Sequence, residues 1–100
     1  MKYFIVEGTL INPDSINDDI MKEHMAYSQK AMDQGLIMMS GLKEDMSGGI
    51  FMMKGESMKE VEDYLCFEPF KVYKIQEYKV IEFTPHFINP SPKEWSSDHN

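Results

Sequence analysis

The stretch LIMMSGLKEDMSGGIFMMKGESMKE, Leu36 to Glu60, changes its pattern twice and sets the order of everything around it. Leu36 to Leu42 (LIMMSGL) is a short apolar run, which predicts a strand. The turn-forming residues of EDMSGG follow, then a second apolar run, Gly49 to Lys54 (GIFMMK), so the two runs are expected to pair as a hairpin. Ser57-Met58-Lys59-Glu60 then has the S-x-x-E spacing of a capping box. A helix is expected to start there and to turn Met58, Val61, Tyr64 and Leu65 inward. Pro69 should end it, because proline has no N–H for the helical ladder.

Working outward, Lys2 to Leu10 (KYFIVEGTL) is β-branched and aromatic and predicts an opening strand. Asn12, Pro13 and Asp14 signal a turn, and Ser15, Asn17 or Asp18 can cap the helix that follows. That helix is expected to run to about Gln34, with Gly35 as the residue that ends it. On the far side, Val72 to Phe83 (VYKIQEYKVIEF) predicts a last strand. The remainder, TPHFINPSPKEWSSDHN, reads as a tail over residues 84–100, in which Trp95 is expected to dock on the body or on a second subunit. The order is βαββαβ over residues 1–83. It predicts a ferredoxin-like α+β fold, a four-stranded antiparallel sheet with two helices on one face.

Two helices cover one face only. Alternation puts Phe4 and Val6 on one side of the first strand and Tyr3 and Ile5 on the other, and sets Leu36 and Met38 against Ile37 and Met39, and Ile50 and Met52 against Phe51 and Met53. The uncovered face would be apolar over several hundred Å², more than a monomer usually exposes. A homodimer packed sheet to sheet is therefore expected. Burying four such side chains per chain would contribute on the order of 6–12 kcal/mol before the costs of association.

Composition narrows the partners. At 42% hydrophobic and 27% charged, the 100 residues suit one ordinary folded domain. The net charge is −7 and every one of the ten basic side chains is a lysine. Nucleic acid and anionic membrane surfaces both call for a concentrated positive patch, so neither is expected as a partner. Without arginine there is no bidentate clamp for a carboxylate or phosphate. The opening MKYFIVEGTL interrupts its apolar run with Glu7 and Gly8, unlike a secretory leader, and no run reaches the ~20 apolar residues of a membrane span. Cys66 cannot form an intrachain disulfide, and its neighbours Leu65 and Phe67 suggest a buried, inert thiol. The expected compartment is the cytoplasm. No zinc, calcium or phosphate-loop spacing is present, and neither a metal nor a cofactor is signalled.

Three places can carry chemistry. On the first helix Ile20, His24, Tyr27 and Ala31 share one stripe, so His24 faces the sheet and needs hydrogen-bond partners there. In FEPF, residues 67–70, Glu68 lies between aromatic rings, where a carboxylate is poorly solvated and also needs a partner. In SGL, residues 40–42, Ser40 offers a hydroxyl and Gly41 allows another backbone or a ligand to approach. On the residues alone each has a plain alternative: a satisfied core histidine, a surface glutamate at a helix end, a bulge or strand end.

Taken in order, MKYFIVEG, EHMAYSQKAMDQGLIMMSGL, GGIFMMKGESMKEVEDYL and EPF resemble the YciI-like (YCII-related) family of dimeric α+β barrel proteins over residues 1–83. The resemblance implies a ferredoxin-like fold, a homodimer formed through the sheets, and a pocket between helix and sheet that holds a histidine–aspartate pair. One branch of that family eliminates hydrogen chloride from a chlorinated hydroxyquinol, and the related muconolactone isomerases shift protons on small lactones. Carried over, His24 matches the histidine, Glu68 occupies the aspartate's place, and Ser40 and Gly41 match small pocket-lining residues. Glutamate for aspartate moves the carboxylate by about 1.5 Å, a displacement that can cost on the order of 10²-fold in a tuned site.

The function implied is cofactor-independent proton transfer on a small cyclic or aromatic molecule, as an isomerase or in a lyase-type elimination. His24 would be the general base or acid and Glu68 would hold its ring. Ser40, Gly41, Tyr27 and Phe70 would contact the ligand. The alternatives are a non-catalytic ligand-binding or regulatory module and a cofactor-free oxygenase.

Overall fold

The structure, a computed structural model, describes residues 1–96. Strand β1 spans Lys2–Leu10 and helix α1 Asp18–Asp33, with one 3-10 turn, Pro13–Ser15, between them. Strands β2 (Ile37–Leu42) and β3 (Gly49–Gly55) precede helix α2 (Met58–Cys66). A short helix α3 (Pro69–Val72), strand β4 (Gln76–Phe83) and a last short helix α4 (Pro92–Ser96) complete the described chain. The strands lie in the order β2-β3-β1-β4 and each neighbouring pair is antiparallel. This is the expected ferredoxin-like α+β fold.

Local chemistry explains the boundaries. The Asn17 side chain accepts the Ile20 N–H at 2.9 Å and starts α1. At the other end Gly35 sits at φ 75°, the left-handed region that glycine enters without steric penalty. There Leu36 N–H reaches the Ala31 carbonyl and Gly35 N–H the Met32 carbonyl, both at 2.9 Å. This pair of bonds closes the last turn of the helix and launches β2. Ser57 caps α2 by accepting the Glu60 N–H at 3.1 Å. The return contact of that box lands one residue early, with Glu60 accepting the Glu56 N–H at 3.3 Å.

The core is Phe4 and Val6 of β1, Ile37, Met53, Ala31 of α1, and Val61 and Leu65 of α2. Tyr3 and Ile5 point to the opposite face, as alternation requires. Ile37 pairs with Met53 but Met39 pairs with Met52, so the register slips at Met38 and β2 carries a bulge. Ile37 and Met39, expected on one side, therefore part company. Ile37 enters the core, while Met39 joins Met52 on the open face. The slip also carries Ser40 opposite Phe51, on the helix-covered face.

Two other expectations change. Residues 72–75 are not strand: α2 stops at Cys66, and Pro69 opens α3, where its missing N–H would have had no helical acceptor. Lys74 at φ 58° turns the chain, and Ile75 N–H bonds the Phe70 carbonyl at 2.8 Å before β4 begins. Cys66 is exposed, not buried. It follows the buried Leu65 by one residue, about 100° around a helix, and so turns outward.

Beyond β4 the chain passes over the open face. Pro85, Phe87, Ile88, Pro92 and Trp95 border, with Tyr3, Met38, Met52 and Phe83, an apolar void of about 370 Å³. Trp95 borders this void yet is 64% exposed, and residues 97–100, including His99, fall outside the described residues. No helix among the described residues is long and apolar enough to cross a membrane.

Candidate functional site

His24 lies on the sheet-facing side of α1. Its ring stacks flat on Phe70 of α3, with centroids 3.8 Å apart and planes 6° from parallel. Its Nδ1 hydrogen-bonds Glu68 Oε1, across 44 residues of sequence. Glu68 is only 2% exposed. It is placed by its own backbone duty: it caps α3, with Oε2 accepting the Lys71 N–H at 3.3 Å. Oε2 also accepts the Tyr78 hydroxyl at 2.6 Å. A buried carboxylate is costly unless its lone pairs are met by donors, and here three donors converge on it.

The network continues. Gln76 Nε2 donates to the Tyr78 oxygen at 2.9 Å, and Gly49 N–H donates to Gln76 Oε1 at 2.9 Å. The Gln76 carboxamide fits because its neighbours lack side chains. A Cβ on Gly8 would sit 2.5 Å from it, and one on Gly48 would meet the Gly8 carbonyl oxygen at 2.0 Å. Burial, then the bond to Glu68, holds the Tyr78 phenol well above its ordinary pKa, so it remains an O–H donor. Among the described residues, no buried side-chain polar atom lacks a partner.

In front of this network is a cavity of about 300 Å³. Its wall is mainly apolar: Leu10, Ile16, Met21, Leu42, Ile50, Phe51 and Phe70. Its polar groups are His24, Ser28, Ser40, Gln76 and Tyr78. Among the described residues no lysine, aspartate or glutamate lines it. Of the residues expected from sequence, His24, Ser40, Gly41 and Phe70 meet in this wall, with Glu68 directly behind the histidine. The bulge at Met38 is what brings Ser40 to this side of the sheet.

Tyr27 is elsewhere. Its hydroxyl donates to the Tyr64 carbonyl at 2.5 Å and its ring stacks on Tyr64 at 4.8 Å, so it braces α1 against α2 and does not border the cavity. Burial raises the pKa of both phenols. Gln76 and Tyr78, conversely, belong to the network but carry no motif. Their only trace in the sequence is period-two spacing with Val80, which puts all three on the helix-covered face of β4. Among the described residues no cluster of three or more His, Cys, Asp or Glu is placed to hold a metal ion.

Solved structures of the same shape share little sequence with this chain. The likeness is one of fold: the same ferredoxin-like α+β architecture. The 5-chloro-2-hydroxyhydroquinone dehydrochlorinase of Burkholderia phenoliruptrix AC1100, in complex with 2,5-dihydroxybenzoquinone, superposes with a TM-score of 0.67 at 20% identity. The match spans 84% of this chain and 94% of that one. A muconolactone isomerase gives 0.69 at 13% identity over 88% and 94% of the two chains. An antibiotic biosynthesis monooxygenase gives 0.54 at 12% over 83% and 97%. No protein-family model matches the sequence, and no curated protein matches it.

Proposed function

We propose that this chain is a cofactor-independent enzyme of the YciI-like type that moves a proton on a small cyclic or aromatic substrate, by isomerisation or by lyase-type elimination. The observation that carries the reading is the His24 ring: fixed by Phe70 on one face, tied through Nδ1 to a buried carboxylate, and set in the wall of an otherwise apolar cavity. A flat ring bound there would meet Met, Leu and Phe side chains. Ser40 would supply a hydroxyl to a substrate oxygen.

In the reaction Nε2 accepts a proton from an acidic C–H or O–H of the substrate, and Glu68 stabilises the imidazolium that forms. Isomerisation returns the proton to a second carbon. Elimination expels a leaving anion as the electron pair closes a double bond, so that the net loss is HX. That one structural neighbour is a dehydrochlorinase and another an isomerase supports this class of chemistry. An uncharged or weakly acidic ring suits a wall to which, among the described residues, no lysine contributes.

The working unit in this reading is a homodimer of residues 1–83, with the segment after them as a tail. Ile5, Met39, Ile50 and Met52 border a shallow apolar depression on the open face, and Ile81 lies beside them, 43% exposed. A second copy is the occupant that covers such a face.

The test is a thermal-shift and turnover screen of hydroxyquinols, their chlorinated forms, quinones and small lactones on wild type and His24→Ala. Stabilisation of both proteins with turnover by wild type alone is the expected result. Binding that survives in both without turnover by either would replace the enzyme with a binding module. Absence of any ligand response would remove the pocket reading.

A further inference from the structure

The hydrogen-bond network behind His24 has a direction, and one backbone group sets it. Gly49 N–H can only donate, so the Gln76 atom facing it is the carbonyl oxygen. The Gln76 amide nitrogen then faces Tyr78 and can only donate there. The Tyr78 oxygen is thereby used as an acceptor, and its single proton must go to Glu68 Oε2. Oε2 already accepts from Lys71 N–H, so it has no place for a proton of its own. Only Oε1 remains, and it faces His24 Nδ1. With Oε2 taken by two donors, Glu68 turns Oε1 to Nδ1 as an acceptor, and the proton between them belongs to Nδ1.

From this geometry we infer that Gln76 and Tyr78 are positioning residues: with Gly49 they form a one-way relay that makes Glu68 a pure acceptor and locks His24 as its Nδ1–H tautomer, with the Nε2 lone pair free for substrate. The inference deepens the proposed function and rests on its choice of His24 as the working group. Three glycines make the relay possible. Gly8 and Gly48 leave the space for the carboxamide, and Gly49 supplies the anchoring N–H. Among the described residues no group bonds Nε2. Free imidazole in water favours the opposite tautomer, so the locked form is a distinctive signature.

The experiment is nitrogen-15 NMR of the imidazole in ligand-free protein, at a pH well above the ordinary histidine range. Wild type should show His24 predominantly as Nδ1–H. Tyr78→Phe removes the donor to Oε2. Gln76→Glu keeps the size and the Gly49 bond but offers Tyr78 an acceptor, drawing its proton away from Glu68. Each weakens the hydrogen bonding that favours the ionised carboxylate, so Glu68 takes a proton from solvent on Oε1 and donates it to Nδ1. The tautomer ratio should then shift toward Nε2–H by roughly tenfold or more at a given pH, the factor associated with one hydrogen bond to a charged group. Tyr64→Phe, which leaves the relay intact, should not shift it. A wild-type Nε2–H tautomer overturns the inference by itself. So does an unchanged ratio in folded Gln76→Glu, which reads the same link if Tyr78→Phe does not fold. Because the signal needs no ligand, a locked tautomer in a protein without turnover would sink the enzyme reading and leave the relay standing.

Discussion

Replacing Glu68 by glutamine changes one atom and should reverse the hydrogen-bonding sense of the site. The carboxylate now accepts from Tyr78 at 2.6 Å, from Lys71 N–H at 3.3 Å, and shares a proton with His24. In Glu68→Gln the amide oxygen must stay toward Tyr78 and Lys71, since both can only donate there. The NH2 group then points at Nδ1, which becomes an acceptor, and the imidazole proton moves to Nε2. The Tyr78 and Lys71 bonds, about 1.5–3 kcal/mol each to a charged group, become neutral bonds of about 0.5–1.5, and the His24 bond reverses its direction. The expected destabilisation is about 2 kcal/mol, or roughly 8–16 °C in Tm for a domain of this size. Turnover of any substrate found should fall by on the order of 10²–10⁴, the scale seen when a catalytic histidine is held in the wrong tautomer. Differential scanning calorimetry, imidazole NMR and steady-state kinetics on the same preparation check all three. A variant with unaltered Tm and an Nδ1–H imidazole would refute the reasoning, because the amide cannot satisfy every partner without reversing one of them.

Three more outcomes follow from the geometry. Burial raises the Tyr27, Tyr64 and Tyr78 phenols above their unfolded value of 10.0. Their stabilising contribution is therefore complete below that pH and is lost as pH rises through the higher folded values. Absorbance titration of phenolate should show these three ionising together with unfolding, and smooth titration with the fold intact would contradict their burial. Gly48→Ala puts a methyl group 2.0 Å from the Gly8 carbonyl oxygen. It should cost about 3 kcal/mol or more, against the usual 1–3 for an overpacked site, read as a lower urea midpoint; a midpoint equal to wild type argues against the close approach. Ile50→Glu places a charge on the open face, where Ile50 is 39% exposed. Sedimentation at micromolar concentration should show a dimer for wild type and a monomer for the variant, and a wild-type monomer ends the dimer proposal.

Much of the fold was legible because burial is non-directional and written in spacing. The alternation of β1, the apolar runs of β2 and β3, the Ser57 cap and the terminating Gly35 each follow from nearby residues. So does the inward turn of His24, one helical stripe with Ala31. The departures arose where neighbours outside the local pattern decided. The bulge at Met38 answers to pairing with β3; the Ser40-Gly41 pair allows a bulge in LIMMSGL but does not place it at Met38. Pro69 reads equally as a stop for one helix or a start for another until α2 is seen to end three residues earlier. Cys66 was placed by its apolar sequence neighbours, whereas helical rotation exposes it.

The candidate site divides along the same line. The sequence by itself determined that a histidine faces the sheet, that a glutamate lies among aromatic rings before a proline, and that a serine and a glycine interrupt a strand. Only the tertiary structure decided that His24 and Glu68 meet, that Tyr27 turns away to Tyr64, and that Gln76 and Tyr78 stand behind the carboxylate. Hydrophobic burial tolerates several arrangements of the same pattern. A hydrogen bond requires donor and acceptor within a few tenths of an ångström, and that distance is set by how α1, α3, β3 and β4 pack together.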